Sequence, residues 1–148
     1  MKSKSTNDNK AIIRRYIGEI INTGNTEHIS DFISSDYVEV FQNKTYPVRI
    51  DGAVKHTIGV RETYPDLHIT IDKQIAEGEW VVTCYTMTGT HLGMWMGIKP
   101  TGKKIVCTGV NVDRLIDGKI VEHGGAANLF HSLLNIGAIK IIGNEDKK

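Results

Sequence analysis

Residues 110–121 read Val-Asn-Val-Asp-Arg-Leu-Ile-Asp-Gly-Lys-Ile-Val, and this sequence contains the clearest turn signal in the chain. The pair Asp117-Gly118 is favoured at the centre of a type I′ turn, where both central residues need a positive φ. Strand-forming residues flank the pair on both sides, which is typical of two strands joined by a tight turn. The stretch therefore predicts an antiparallel β-hairpin.

A two-residue turn also sets the register of this hairpin. In this register Arg114 pairs with Val121, Asp113 with Glu122, and Val112 with His123. Two acids in directly facing positions repel each other. We therefore expect a cation or a protonated carboxyl group beside this pair.

A second hairpin is predicted upstream. Residues 67–71 alternate apolar and polar side chains, a period of two that indicates a strand with one buried face. Glu77-Gly78 supplies a turn, and the next strand is predicted from Trp80 to about Thr90.

The N-terminal part is predicted to be helical. The first helix has one apolar stripe at helical spacing and ends at Gly24, which tolerates a left-handed turn. The residues of the stripe are Ile12, Ile13, Tyr16, Ile17, Ile20 and Ile21. A short second helix, capped by Asn25 or Thr26, is predicted to bury three apolar residues, namely Ile29, Phe32 and Ile33. A first strand then covers residues 37–41.

A third helix is predicted to begin at Asp51 as its cap and to end before Pro65. Helices that precede long antiparallel strands indicate an α+β fold and not alternating βαβ units. We expect a cone-shaped, curved, mainly antiparallel sheet, packed by the N-terminal helices. A C-terminal helix that stops at Gly137 closes the cone. Residues 1–148 are expected to form one domain with an ordered core at about residues 9–143.

Composition excludes several classes of function. Lys and Arg number 18 against 17 acidic residues, and the basic residues are scattered. A nucleic-acid-binding protein normally needs a basic face, so no nucleic-acid partner is expected. No apolar run approaches the roughly 20 residues that span a bilayer, so no membrane partner is expected either.

The cysteines and the N-terminus bear on the compartment. Cys84 and Cys107 are the only cysteines, and both lie in apolar strand-like runs, which favours buried thiols of a reducing compartment. Residues 1–10 are polar and lead into no apolar stretch, so no secretory signal is predicted. A cytoplasmic location is expected.

Several segments occur in an order that resembles the SnoaL-like polyketide cyclase (ester cyclase) family of the nuclear-transport-factor-like superfamily. The resemblance covers roughly residues 10–137. The matching segments are Ile21-Asn22-Thr23-Gly24, Tyr64-Pro65-Asp66-Leu67, Ile75-Ala76-Glu77-Gly78, Gly89-Thr90-His91-Leu92-Gly93, Pro100-Thr101-Gly102-Lys103, Asp117-Gly118-Lys119-Ile120-Val121-Glu122-His123 and Leu134-Asn135-Ile136-Gly137.

The resemblance implies a cone-shaped fold, a homodimer, and a pocket between the sheet and the helices. It also implies cofactor-free chemistry, in which a carboxylate acts as general acid and base for the aldol closure of a polyketide ester. No metal ligand and no organic cofactor are expected.

The chain departs from the family pattern at four positions. Asn128 stands where the family has the acid/base Asp, and an amide exchanges no proton near neutral pH. Gly124 replaces a Trp, Val40 replaces a common His, and Cys84 replaces a common Arg. The pocket is therefore expected to be less polar than in relatives.

Four residues are the predicted catalytic candidates. His91 follows Gly89 at a strand end, where it is either a proton carrier of the pocket or a structural residue that ties a loop to the sheet. Of Glu122 and His123, only one is expected to point into the cone, because successive strand residues face opposite sides. Asn128 either polarises a carbonyl group or caps the last helix.

Further residues are predicted to contact the ligand. Met94, Trp95 and Met96 form an apolar loop bounded by glycines, which suits either a pocket mouth or a packing contact. The complete predicted ligand-binding set is Val40, Cys84, Met94, Trp95, Met96, Asn111 and Gly124. Other cofactor-free enzymes with this fold place a base near the first strand, so Glu39 beside Tyr37 is a further candidate.

The leading hypothesis is a protein that binds a small, largely apolar organic molecule in the cone. If it is an enzyme, we expect a cofactor-independent cyclase, isomerase or lyase (dehydratase) that uses general acid/base chemistry. The alternative is a non-catalytic dimeric binding or scaffold module, whose pocket has no titratable group pointing inward. A third hypothesis is a partner-binding protein that uses the exposed face of its sheet.

Overall fold

The computed structural model of the protein describes residues 5–143, and all structural statements below concern this part. It contains three α-helices, α1 to α3, and six strands, β1 to β6, in one sheet. In chain order these are α1 (Thr6–Tyr16), β1 (Ile33–Phe41), β2 (Lys44–Tyr46), α2 (Arg49–Thr63), β3 (His68–Glu77), β4 (Trp80–Thr90), β5 (Lys104–Ile116), β6 (Lys119–Ala127) and α3 (Leu129–Asn135).

The sheet has the strand order β2-β1-β6-β5-β4-β3. All neighbouring strands are antiparallel except β1 and β6, which are parallel. The sheet is curved and does not close on itself. The predicted α+β cone with a mainly antiparallel sheet is therefore confirmed.

The β5–β6 hairpin turns at Asp117-Gly118, as predicted, and both residues have positive φ. The predicted register beyond the turn is wrong by one residue. A β-bulge at Val121 on β6, opposite Arg114 and Leu115, offsets the pairing, so that Asp113 lies opposite His123 and not opposite Glu122. The bulge thereby removes the unfavourable pair of facing acids.

The β3–β4 hairpin differs from the prediction for a similar reason. Its turn lies at Gly78-Glu79, one residue later than predicted, because Glu77 pairs with Trp80. A second irregularity between Ile71 and Lys73 shifts the alternation of β3. Beyond it Ile75 is exposed, although an uninterrupted period of two would bury it.

The predicted first helix is present. It runs through α1 and continues as one π-helical turn, Ile17–Ile21, up to Gly24, whose φ is 72°. The predicted short second helix is wrong: the chain forms only a 3-10 turn at Ile29–Asp31, and Ile33 already belongs to β1. Tertiary packing still buries the three apolar residues predicted there, Ile29, Phe32 and Ile33.

The third predicted helix corresponds to α2. It begins two residues before Asp51, which therefore lies in the first turn and not at the cap. The edge strand β2 has no predicted counterpart. It is only three residues long and fully exposed, so no apolar alternation marks it in the sequence.

Some residues of the family-like segments hold the scaffold together. The side-chain amide of Asn22 donates to the carbonyl of Ile69 and accepts from its N–H, at 3.0 and 2.7 Å, which fastens the end of the first helix to β3. Arg61 donates to four backbone carbonyls around the same junction, those of Ile21, Asn22, Pro65 and Leu67. Asp66 accepts hydrogen bonds from the N–H and the hydroxyl of Thr90.

Two apolar clusters fill the space between the helices and the concave face of the sheet. The first joins α1 and the π turn to β1, β4, β5 and β6, and the second joins β4 and β5 to α3. A cavity remains between them. No helix within residues 5–143 is long and apolar enough to cross a bilayer.

Candidate functional site

A cavity of about 420 Å³ lies between α1, α2 and the concave face of the sheet. Most of its wall is apolar, with residues such as Ile13, Ile17, Ile69, Met87 and Leu129. This volume lies in the range that small organic ligands occupy, roughly 300–1,000 Å³. One part of the wall is polar, and its residues come from five elements. They are Tyr16, Tyr37, Glu39, His56, Thr57, Asn111, Asp113 and His123.

His123 and Asp113 form a hydrogen-bonded pair on this wall, with 2.6 Å between Nδ1 and Oδ1. The Asp113 side chain is 6% exposed, whereas 25% of the His123 side chain remains accessible on the cavity that it lines. Burial lowers the pKa of His123, but the charge of Asp113, the hydrogen bond to it and the charge of Glu39 outweigh burial and raise this pKa overall.

Glu39 and His56 form a second pair, with 2.9 Å between Oε1 and Nδ1. Tyr37 donates to the same carboxylate oxygen at 3.3 Å. Burial raises the pKa of Glu39, but the hydrogen bond and charge of His56, the charge of His123 and the hydrogen bond from Tyr37 lower it overall. Glu39 is therefore an ionised carboxylate near neutral pH.

The two pairs are neighbours because of the strand register. Glu39 lies beside His123 across the parallel β1–β6 pair, and His123 lies beside Asp113 across the antiparallel β5–β6 pair. Helix α2 places His56 above this row, with its ring centroid 6.5 Å from that of His123. Three strands and one helix thus bring two imidazoles and two carboxylates together.

Two phenols complete the polar wall. Burial raises the pKa of Tyr37 well above its usual range, and the charges of Glu39, Tyr16 and Asp113 raise it further. Burial and the charge of Asp113 likewise raise the pKa of Tyr16. Both hydroxyl groups stay protonated at any ordinary pH, so they can donate hydrogen bonds and do not act as bases.

The four predicted catalytic candidates occupy different places. His123 lines the cavity, and it is the member of the Glu122–His123 pair that points inward. His91 is 1% exposed and away from the cavity wall; its Nδ1 lies 3.3 Å from Oγ1 of Thr101, and its ring packs on Tyr64. Its backbone also exchanges hydrogen bonds with Gly102 and Lys103, so it ties the loop at residues 91–103 to the sheet.

Glu122 and Asn128 do not line the cavity. Glu122 lies opposite Arg114, but Arg114 donates to Glu79 at 2.8 Å. Asn128 occupies the N-cap position of α3 without a capping hydrogen bond from its side chain. It borders a separate open groove that also contains Cys84 and Asp72.

The predicted ligand-binding residues are also divided. Val40, Trp95, Asn111 and Gly124 line the cavity, whereas Cys84 lies in the outer groove. Met94 and Met96 are exposed, the latter at 82% on the tight turn between Trp95 and Ile98. The structure therefore brings His123 together with Val40, Trp95, Asn111 and Gly124 and leaves the other predicted residues elsewhere.

His56 had no sequence signal as a site residue, because α2 has a mixed composition and shows no face that marks a cavity. Tyr16 belongs to the apolar stripe of the first helix, which predicts burial and not a site. The clearest sequence signal for the His123–Asp113 pair was the predicted repulsion between Asp113 and Glu122, which led us to expect a cation or a protonated carboxyl group nearby. His123 fills that place. Within residues 5–143, no group of three His, Cys, Asp or Glu side chains is arranged to hold a metal ion.

Comparison with known proteins adds the family context. The family model described as SnoaL-like polyketide cyclase matches residues 11–135. Nogalonic acid methyl ester cyclase of Streptomyces nogalater is 29% identical over 112 residues, which cover 69% of this chain and 78% of the relative. Aklanonic acid methyl ester cyclase DnrD of Streptomyces peucetius is 25% identical over 126 residues, covering 76% of this chain and 79% of the relative.

Solved structures agree in fold. AclR of Streptomyces galilaeus superimposes with a TM-score of 0.80 at 28% identity, covering 92% of this chain and all of that one. A SnoaL-like polyketide cyclase of Agrobacterium tumefaciens superimposes with a TM-score of 0.75 at 11% identity, covering 86% of this chain and 95% of that one.

Proposed function

The chain belongs to the SnoaL-like polyketide cyclase family, and on that premise we propose that it is a cofactor-independent enzyme that transfers protons on a small, largely apolar carbonyl compound. The substrate binds in the cavity between the helices and the sheet, and His123 carries the proton. A cyclisation of aldol type on a polyketide ester is the favoured reaction, because the curated relatives are cyclases of such esters.

The observation that carries the proposal is the His123–Asp113 pair on the wall of an otherwise apolar cavity. Asp113 accepts a hydrogen bond from the Nδ1–H group of His123, and this fixes the ring tautomer that leaves Nε2 as the acceptor. Nε2 makes no hydrogen bond within the described residues. A neutral imidazole held in this way is a general base for a carbon acid, and its protonated form is a general acid.

The proposal also accounts for Asn128, which stands at the position of the family's acid. In this chain His123, which is hydrogen-bonded to Asp113, takes the role of proton carrier instead. The hydroxyl of Tyr16 stays protonated and is available to donate a hydrogen bond to an enolate oxygen, which stabilises the charge that develops there, whereas Tyr37 donates its hydroxyl to Glu39.

The non-catalytic alternative predicts a pocket without an inward titratable group. The cavity wall instead contains two carboxylates and two imidazoles, all hydrogen-bonded in pairs. Pairing offsets the cost of placing four ionisable groups in an apolar cavity, and each pair still leaves one imidazole Nε2 without a hydrogen bond within residues 5–143. This arrangement favours an enzyme over a non-catalytic binding or scaffold module.

The test is turnover of nogalonic acid methyl ester, with cyclised product measured by chromatography. We expect the wild type to cyclise this ester or a related polyketide ester, and His123→Asn to reduce kcat/KM by about 10²- to 10⁴-fold. His68→Asn is the matched control, because His68 is exposed on β3 and outside the cavity. Equal activity of the two variants contradicts the proposal.

We also propose a homodimer formed through the outer face of the sheet. That face exposes Val106, at 64%, and Val110, whose neighbours across the β4–β5 pair are Thr88 and Cys84. Val106→Glu is expected to convert the dimer to a monomer in sedimentation velocity, whereas the exposed-helix change Ile58→Glu leaves it intact. A wild type that sediments as a monomer overturns this point.

A further inference from the structure

We propose that His56 and Glu39 form a second proton-transfer pair, which gives a carbonyl oxygen the proton complementary to the one that His123 takes from carbon. The inference rests on the proposed function of the cavity and extends it. It makes the site a two-pair acid–base site that acts on a carbon acid carrying a second carbonyl group.

The two pairs have the same construction. In each, Nδ1 of an imidazole is hydrogen-bonded to a carboxylate oxygen, at 2.9 Å for His56 and 2.6 Å for His123. In each, Nε2 makes no hydrogen bond within residues 5–143. A carboxylate that holds Nδ1 orients the ring and stabilises its protonated form, which is the arrangement that suits an imidazole acting as acid or base.

The pairs come from different elements. His123 and Asp113 lie on β6 and β5, whereas His56 lies on α2 and Glu39 on β1. The ring centroids are 6.5 Å apart, and the rings are nearly perpendicular. Reacting atoms lie about 3–3.5 Å from the groups that act on them. Two neighbouring substrate atoms are therefore able to contact the two imidazoles at the same time.

The pairs differ in their access to solvent. The His56 side chain is 51% exposed, against 25% for His123 and 6% for Asp113. The titratable groups that share the cavity wall with His56 are Tyr16 of α1, Tyr37 and Glu39 of β1, Arg61 of α2, Tyr64, Tyr85 of β4, Asp113 of β5 and His123 of β6. His56 is the more exposed imidazole, so solvent has direct access to it for the return of a proton after each turnover, which suits the role of acid.

The proton balance of the cycle is complete. Neutral His123 removes a proton from the carbon next to an ester carbonyl, and the resulting enolate carbon forms a bond to a ketone carbon of the same molecule. The ketone oxygen takes a proton from protonated His56 and becomes a hydroxyl group. Proton return from His123 to solvent and uptake by His56 reset the site, and no oxidant, reductant or co-substrate is needed.

This division of labour defines the substrate class: a largely apolar ester with an acidic C–H next to the ester carbonyl, and a ketone within the same molecule. It also allows the two proton transfers to be measured separately. Deuterium uptake from D2O into unreacted ester reports proton removal from carbon, and formation of the cyclised alcohol reports the complete reaction.

The experiment compares both readouts for wild type, His56→Asn, Glu39→Gln and His123→Asn with nogalonic acid methyl ester. Exchange in enzyme-free buffer is subtracted. His68→Asn and Glu77→Gln are the matched controls, since both residues are exposed and outside the cavity. We expect His56→Asn and Glu39→Gln to lose about 10²-fold or more in cyclisation while deuterium uptake stays within about tenfold of wild type. His123→Asn is expected to lose both.

The outcomes separate the two proposals. Full cyclisation by His56→Asn and Glu39→Gln, with loss in His123→Asn, overturns the second pair and leaves the proposed function intact. Equal loss of uptake and cyclisation in His56→Asn also overturns it, provided that circular dichroism and the melting temperature match the wild type. If His56→Asn does not fold, His56→Gln takes its place. A wild type with neither activity overturns the proposed function itself.

Discussion

His123 and Asp113 face each other across the β5–β6 pair, and their side chains meet at 2.6 Å on the wall of the cavity. This contact exists because a β-bulge near the hairpin offsets β6 by one residue. Without the bulge, Asp113 faces Glu122, and His123 points to the opposite side of the sheet. A local irregularity of the backbone therefore decides which side chain can act on a bound molecule.

Asp113→Asn is expected to shift the pH dependence of activity. Removal of the carboxylate takes away the charge and the hydrogen bond that raise the pKa of His123, so this pKa falls. His123 then loses its proton at a lower pH, and the rising limb of the kcat/KM profile moves to lower pH. Asp72→Asn is the control, because Asp72 lies in the outer groove. If the rising limb of the kcat/KM profile stays at the same pH in Asp113→Asn, Asp113 does not set the pKa of His123.

The same pair makes stability depend on pH. The pKa of His123 is raised in the folded protein above its unfolded value of about 6.5. Its contribution to the free energy of unfolding is therefore complete below about pH 6.5 and is lost as the pH rises through the folded pKa. Urea unfolding of wild type and His123→Asn is expected to show a stability difference that shrinks across this window. If the difference in the free energy of unfolding between the two proteins grows with pH instead, the pKa of His123 is not raised in the folded protein.

Asn22→Ala is expected to destabilise the fold by about 1–3 kcal/mol, because the N–H and C=O of Ile69 lose their partner in a partly buried junction. Urea denaturation measures the change. Asn25→Ala is the comparison, since the Asn25 side chain accepts only a local hydrogen bond from the N–H of Glu27. Equal, small effects of the two changes are not consistent with Asn22 fastening the first helix to β3.

Asn128→Asp places a carboxylate where the sequence resemblance predicts the family's acid, yet it is expected to change kcat/KM by only about twofold, as for a surface substitution. Asn128 borders the outer groove and not the cavity, so a carboxylate there has no access to the bound molecule. A large gain in cyclisation places the reacting atoms near Asn128 and moves the site away from His123.

The turn chemistry and the helical stripe were readable from the sequence because they depend on local rules. Asp117-Gly118 specifies its turn, and the stripe that begins at Ile12 specifies α1. The bulges near Arg114 and Ile71 were not readable, because they depend on how β5 and β3 pack against their neighbours. The 3-10 turn at Ile29–Asp31 and the short strand β2 have the same explanation.

The site was only partly predictable for a related reason. His123 was a candidate, but its partner Asp113 became visible only once the register was known. His56 lies 67 residues before His123 in the chain, and no spacing rule links a helix residue to a strand residue at that separation. His91 follows a glycine at a strand end like a site residue, but packing against Tyr64 places it in the interior beside the loop.

Chemical rescue directly tests whether His123 carries the proton in the reaction. His123→Ala removes the imidazole and leaves the cavity wall otherwise intact, so added imidazole has room to bind in its place. We expect imidazole to restore cyclisation of nogalonic acid methyl ester, with a rate that depends on the pKa of a series of substituted imidazoles. His68→Ala is expected to need no rescue. Failure of every imidazole to restore activity to a folded His123→Ala variant that still binds the ester contradicts the assignment of His123 as the proton carrier.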